Sequence, residues 1–461
     1  MRNIRKVVAA VGVAVVASLT VSSMALAESA AGEGATFPQN FLANAEVAYN
    51  ASHPGNTVAY KNPGGGSGSG KTAFFNATAT SGTDWSGTDS AVEAAKDPSA
   101  KFDWTYVPYV GGAIAIGYKL DELQGATLSL SANTINGIFA GLITKWNDPS
   151  IAADMKANPT WTNIKSKSDY KGASAQWQPV GPFASIATVT LNPSAMKKAS
   201  GKKVEVYDNT AKKAVATSVV GKKGEVTINA KGLSASAQYS VKVDGKEVAK
   251  YKQGSVTLPD KTITVAYRSG TSGTTNNFTL FMKSATNPDW TQNDSFSTGM
   301  PGGSATLAKE GSRFQGFSGS ADLANYVKSN NGAIGYMEVS FVNERAADGV
   351  KAALVKNAAG IYVAPTSANT SAMLSGSTVA DSGFVTFDYK QTKNTNAYPV
   401  VAVTYALAKK AKSTKNALVA DYFGWIINTY APANAEGLGY ASLTGNILTA
   451  AKEKLALVNS K

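Results

Sequence analysis

Residues 107–118 read VPYVGGAIAIGY, an apolar run broken by a pair of glycines. Upstream lie a shorter apolar run, Thr57–Tyr60, and a glycine turn, Gly64–Gly70. Short strand, glycine turn and helical segment recur through residues 28–165, a texture that points to α/β layering. Helices are expected at Pro38–Asn50, Ala132–Ala140 and Thr275–Lys283, with Pro38 suited to a first helical turn. From about Lys261 the same texture runs on. It includes a strong strand at Tyr398–Ala408 (YPVVAVTYALA) and an amphipathic helix at Ala417–Tyr430.

Residues 170–260 differ. Short alternating strands are expected at Ala187–Leu191, Lys203–Tyr207, Val215–Val220, Glu225–Asn229, Tyr239–Val243 and Ser255–Leu258. Turn signals such as Val243-Asp244-Gly245-Lys246 separate them, which is the pattern of an antiparallel sandwich. Between Lys197 and Asp260 there are 13 lysines against 6 acids, eight of the lysines in the doublets 197–198, 202–203, 212–213 and 222–223. An all-β, immunoglobulin-like module is therefore expected inside an otherwise continuous α/β protein.

The chain has 461 residues, 43% apolar and 16% charged, enough for two or three domains with their own cores. Disorder and small stapled scaffolds are excluded. With no cysteine, disulfides, thiolate metal sites and cysteine nucleophiles are excluded too. The single histidine, His53, rules out a multi-histidine metal site and argues against a histidine triad. At the N-terminus, basic Met1–Lys6, apolar Val7–Val21 and Ala25-Leu26-Ala27 read as a secretory signal cut before Glu28. Without Arg2, Arg5 and Lys6, 41 basic residues remain against 31 acidic ones. The expected product is exported, periplasmic or extracellular at the cell surface, and not lipid-anchored through cysteine.

Gly65-Gly66-Ser67-Gly68-Ser69-Gly70-Lys71-Thr72 fits the P-loop pattern G-x-x-x-x-G-K-[ST]. No apolar strand ending in a magnesium-binding Asp accompanies it, and an exported chain meets little ATP, so an NTPase is disfavoured. A glycine loop opening a helix still presents backbone N–H groups to an anion; a flexible linker is the plainer alternative. Two more segments share that chemistry: Gly34-Ala35-Thr36-Phe37-Pro38, and Arg268-Ser269-Gly270-Thr271-Ser272-Gly273-Thr274-Thr275, with a guanidinium at its head. Taken singly, the hydroxyls are ordinary helix caps and the arginine a surface charge. Three in one chain point to a shared tetrahedral oxyanion, which an Arg fork, hydroxyls and helix N-termini suit.

These segments, with Asp84-Trp85-Ser86-Gly87-Thr88-Asp89, Val107–Gly112, Lys145-Trp146-Asn147-Asp148-Pro149, Gly332–Tyr336 and Tyr440-Ala441-Ser442-Leu443, occur in an order that resembles the phosphate-binding proteins of bacterial phosphate ABC transporters. The resemblance implies a two-lobed venus-flytrap fold of the type II periplasmic binding protein kind, closing on inorganic phosphate. Lobe I would take residues 28–112 and 397–461, and lobe II residues 113–169 and 261–396. The module would occupy 170–260 and the signal 1–27. Carried over by position, Thr36, Phe37, Ser67 and Asp89 would hold phosphate from one lobe, and Arg268, Ser272, Gly273 and Thr274 from the other. Phe37 and Gly273 would act through backbone N–H. The implied partner is a membrane ABC permease; neither cofactor nor metal is implied.

Asp89 would supply selectivity, because phosphate keeps a proton to donate to a carboxylate and sulfate does not. A buried unsatisfied acceptor costs about 1–3 kcal/mol. Two positions depart from the family pattern: Gly270, where many relatives carry an acid, and Glu33, where they carry a small residue. The basic module could be a tolerated insertion or could attach the protein to an anionic envelope polymer. Nucleic acid is not expected, for no aromatic platform interleaves with its lysines. The expected function is phosphate capture for transport, without enzymatic activity. The alternatives are an envelope-interaction or adhesion protein acting through the module, and a phosphate-ester hydrolase.

Overall fold

The structure is a computed structural model that describes residues 28–461 apart from 62–64, 124–125, 158–160, 166, 182–183, 235–236, 254–255 and 287–288. The expected signal segment, 1–27, lies outside the described residues. Strand β1 (Glu28–Gly34) leads into helix α1 (Gln39–Ser52), followed by β2 (Asn56–Lys61), α2 (Gly66–Asn76), β3 (Trp85–Thr88) and β4 (Trp104–Tyr118). α1 begins just after Pro38 and buries Phe41, Ala45 and Tyr49, spaced four apart along one face. β1 pairs in parallel with both β2 and β3. The strand expected at 398–408 forms as Val401–Lys409, buried throughout, and lies antiparallel between β3 and β4. Its almost unbroken apolar sequence follows from that burial.

β4 organises the rest. Its segment Trp104–Ala113 pairs with Val401–Lys409, whereas Ile114–Tyr118 pairs antiparallel with Ala333–Glu338. That strand runs parallel to Thr264–Arg268, which in turn runs parallel to Phe314–Phe317. A single ten-stranded sheet thus has two halves that share β4, whose partners change between Ala113 and Ile114. Helix α3 (Ala132–Phe139) forms where expected, capped by Ser131 accepting from the Thr134 N–H. The helix expected at Thr275–Lys283 starts earlier and spans Gly273–Ala285. The helix expected over Ala417–Tyr430 is interrupted: α-helix ends at Trp425, a π-helical turn covers Ile426–Tyr430, and Ala431–Asn434 resumes. Pro432 explains the interruption, since it offers no N–H to an uninterrupted α-helical ladder.

The basic module has its own core. One sheet orders its strands Lys213–Val219, Lys203–Asp208, Gln238–Val243, Lys246–Gln253 and Trp161–Lys165; the other orders Glu225–Lys231, Ala184–Leu191 and Ala173–Gly181. Val189, Val206, Ile228, Tyr239 and Val241 are buried between them, in a cluster separate from the main core. The turn at Asp244-Gly245 has both residues at positive φ, 51° and 74°, the geometry of a two-residue hairpin.

Three expectations are corrected. The module's sheets begin at Trp161 rather than 170, because Trp161–Lys165 pairs with Lys246–Gln253 and Trp161 packs on Trp177 and Tyr239. The module is not all-β: Pro193–Ala199 is helical, with Pro193 in the first turn and the Asn192 side chain accepting from the Ala195 N–H. Finally, Val256–Leu258 is not strand. The last strand is Lys246–Gln253, while Val256 and Leu258 pack against the core of the α/β body.

The module's own core, separate from the two hydrophobic clusters of the α/β body, predicts its own unfolding transition by calorimetry beside that of the body. Val241→Asp, a charge in the module's fully buried core, should abolish or lower the module's transition and leave that of the α/β body within a few degrees of its original midpoint.

Candidate functional site

Three helix beginnings converge with the end of a strand. Thr36 and Phe37 precede α1, Ser67 lies in the first turn of α2, and Ser272, Gly273 and Thr274 open the helix Gly273–Ala285. Arg268 ends Thr264–Arg268, and Asp89 follows β3. All eight residues singled out from the sequence are buried, none of the side chains more than 2% exposed. Helix N-termini put unpaired N–H groups and partial positive charge into one place.

Contacts cross from one half of the fold to the other. Arg268 Nη1 donates to Thr36 Oγ1 (2.7 Å) and to Ser320 Oγ (3.1 Å), and the Thr36 and Ser320 hydroxyls lie 3.0 Å apart. Ser67 Oγ accepts from the backbone N–H of both Asp89 and Gly273, each at 3.2 Å. Asp89 Oδ1 accepts from Thr404 Oγ1 (2.6 Å), and the Asp89 carbonyl accepts from Asn277 Nδ2 (2.7 Å). Two bonded sets, Thr36 with Arg268 and Ser67 with Asp89 and Gly273, make up one cluster across which Arg268 and Asp89 act on each other electrostatically. The other three stand at its edge. Ser272 Oγ caps its helix by accepting from the Thr275 N–H (3.3 Å), and Thr274 Oγ1 donates to Glu338 Oε1 (2.8 Å). The Phe37 carbonyl accepts from the Tyr440 hydroxyl, and its ring meets that of Tyr440 edge-on.

Close approach requires glycine at 273. A Cβ there would stand 2.5 Å from Ser67 Oγ and 2.7 Å from Asp89 Cβ. The glycine turn also docks on the arginine loop, with the Gly68 N–H donating to the Thr271 carbonyl (3.2 Å). The P-loop-like lysine has a structural use: Lys71 is 2% exposed, pairs with Asp97 and Asp294 at 3.2 Å each, and donates to the Ala91 carbonyl. Its charge is spent on those carboxylates, so the sequence match carries no nucleotide site.

The two departures have local answers. A Cβ at Gly270 would meet nothing closer than the Ser318 carbonyl at 3.9 Å, and that carbonyl accepts from Arg268 Nε (3.0 Å) and Nη2 (2.6 Å). A backbone oxygen thus holds the guanidinium without an acid in the loop. The Glu33 carboxylate accepts from Thr83 Oγ1 (2.7 Å), turned to a partner outside the cluster. Ser318, Ser320, Glu338 and Thr404 complete the cluster from segments in which no motif marks them. Burial opposes the Arg268 charge, which Glu338, Tyr336 and Asp89 favour. Burial is also the largest influence on Asp89, pushing it up to about 8; the Thr404 bond and Arg268 work against this, and Glu338 and Asp294 add to it. Glu338 is raised as well, again chiefly by burial.

A family model described as a PBP superfamily domain matches residues 21–241 and 242–429. The chain belongs to the PBP superfamily. It is similar to the phosphate-binding protein PstS2 of Mycobacterium bovis, 32% identical over 184 residues that cover 36% of this chain and 47% of that one. It is also similar to the phosphate-binding protein PstS of Xylella fastidiosa, 27% identical over 197 residues, 41% and 49% of the two chains. The chain spans about half the length of the curated relatives it matches. The phosphate-binding protein from Stenotrophomonas maltophilia superposes with a TM-score of 0.50 at 15% identity, covering 92% of this chain and 93% of that one. That likeness shows a shared fold. Among the described residues, no helix is long and apolar enough to cross a membrane.

Asp89 gives a pH signature. Folded, it holds its proton up to about 8; unfolded, it loses it near the ordinary value of 3.8. Between those values the folded chain binds more protons at this group, so the Asp89 contribution to stability is fully present below about 4 and is lost as pH rises through about 8. The melting temperature of the anion-free chain should fall across that window. Asp89→Asn should flatten the decline without abolishing it, because Glu338 acts in the same direction.

Proposed function

We propose that this chain is an exported solute-binding protein that captures inorganic phosphate between two lobes and delivers it to an ABC-type permease, without enzymatic activity. Lobe I comprises 28–112 and 397–461, and lobe II 113–160 and 261–396. The exchange of β4 partners at Ala113/Ile114 supports that division. The phosphate ligands are Thr36, Phe37, Ser67, Asp89, Arg268, Ser272, Gly273 and Thr274. The observation that carries the reading is a buried arginine and three helix N-termini gathered around a carboxyl that favours a proton. While it holds its proton that carboxyl can donate to any oxyanion; once ionised, above about 8, it accepts only from an oxyanion that brings its own proton.

The basic module is proposed to be immunoglobulin-like. In support, its strands from Ala173 onward divide three and four between two antiparallel sheets, with the chain crossing between sheets after Leu191 and again after Val219. We infer that it attaches the protein to an anionic envelope polymer. The eight doublet lysines are all exposed. Removing residues 161–253 should release the protein from isolated envelope polymer and leave phosphate affinity within about threefold; unchanged retention would sink the attachment reading.

Calorimetric titration of refolded, dialysed protein with phosphate and sulfate tests the main reading. Above pH 8 Asp89 is ionised, and sulfate leaves it facing a second charge without a shared proton. Phosphate should bind one to one and sulfate more weakly by about five- to 150-fold, the equivalent of 1–3 kcal/mol. Asp89→Asn should narrow that gap. Equal binding of the two anions by the wild-type chain above pH 8 would overturn the reading.

A further inference from the structure

Glu338 is a charged group at the site to which no sequence motif points. It ends the strand Ala333–Glu338, opposite Ile114 of β4, and is 1% exposed. Its Oε1 accepts from Thr274 Oγ1 at 2.8 Å, while its Oε2 has no hydrogen-bond partner among the described residues. A hydroxyl has one proton to give. While Thr274 gives it to Glu338, the same hydroxyl cannot donate to an anion.

We propose that Glu338 is a positioning residue that sets the direction of the Thr274 hydrogen bond, and through it couples anion capture to a proton. Carrying a proton, Glu338 donates to Thr274 Oγ1 and turns the Thr274 O–H toward the anion. Ionised, it accepts the Thr274 O–H hydrogen bond and places a second negative charge at the site. Only a proton moves: it leaves solvent or buffer and forms an O–H bond on the Glu338 carboxylate. When the empty site holds Glu338 ionised, capture draws one proton from solvent. This inference rests on the phosphate reading above.

The groups facing Glu338 are Arg268 on the neighbouring strand, Asp89 after β3 and Tyr440 near the C-terminus, with Tyr336 on its own strand also acting on Arg268. Asp322 acts further out through Arg268, and Asp294 through Asp89. Burial raises Glu338 against its own backbone N–H, the Thr274 bond, Arg268 and the Ser320 hydroxyl, which all lower it. The donating arrangement therefore belongs to the lower side of its titration, and capture weakens as pH rises through it.

The experiment is calorimetric titration with inorganic phosphate from pH 6.5 to 9, in paired buffers of different ionisation heat. It uses the wild-type chain, Glu338→Gln, Thr274→Val and Thr274→Ser, each confirmed as folded by circular dichroism. The glutamine amide donates to Thr274 at every pH. Glu338→Gln should therefore take up fewer protons on binding and lose less affinity between pH 6.5 and 9. Thr274→Val should cost about tenfold where Glu338 holds its proton, the worth of one hydrogen bond to a charged ligand, and progressively less as pH rises and Glu338 ionises, because the wild-type hydroxyl then faces Glu338. Thr274→Ser should restore the wild-type profile. If wild-type phosphate binding is clear but Glu338→Gln leaves proton uptake and pH profile unchanged, or the Thr274→Val loss is equal at both pH values, the coupling is overturned alone. A wild-type chain that gives no heat with phosphate overturns both this inference and the reading it rests on.

Discussion

A guanidinium with 1% of its surface exposed must find its acceptors inside the protein, and Arg268 finds them on both sides of the fold. Thr36 lies between β1 and α1, whereas Ser318 and Ser320 follow the strand Phe314–Phe317. A buried charge left unpaired is among the costliest faults a fold can carry. Satisfying this one draws the two half-sheets together. Two buried carboxyls, Asp89 and Glu338, lie within electrostatic reach of it. The cluster therefore combines one fixed positive charge with two groups whose charge depends on whether they hold a proton. On the proposed reading, a bound oxyanion would enter a set of partners already in balance, and protons are the part of that balance able to adjust.

The elements legible in the sequence were those whose reason for existing is local. Val401–Lys409 is apolar because it is buried on both faces, and α1 has its stripe because it covers one. The loops at Thr36, Ser67 and Arg268 could be read as anion-facing because each joins hydroxyls or glycines to a helix start. What stayed hidden depends on distant contacts. Lys246–Gln253 is thick with lysine, and only pairing on two sides explains why Val248, Ala249 and Tyr251 are buried. Glu338 lies 64 residues from Thr274, and Thr404 lies 315 from Asp89. Separations of that size leave no spacing to read. Lys71 was misleading for a related reason: the P-loop pattern describes the chain next to it, while its partner Asp294 comes from 223 residues away.

The module's attachment to the α/β body has a further consequence. Before the chain reaches the module and after it leaves, it passes through a clamp. The Ile263 N–H donates to the Thr144 carbonyl, the Trp146 N–H donates to the Lys261 carbonyl, and the Trp146 indole N–H donates to the Gly332 carbonyl. Trp146 itself is fully buried. Tension on the module would enter near Trp161 and leave near Gln253, and these bonds close the loop ahead of the strand that ends in Arg268. The clamp is a mechanical short circuit in its wiring: it ties the chain before the module directly to the chain after it, so a pull on the module's end meets the Lys261 and Ile263 bonds before the strand that ends in Arg268. On the proposed attachment reading, a pull on the module would load those bonds first.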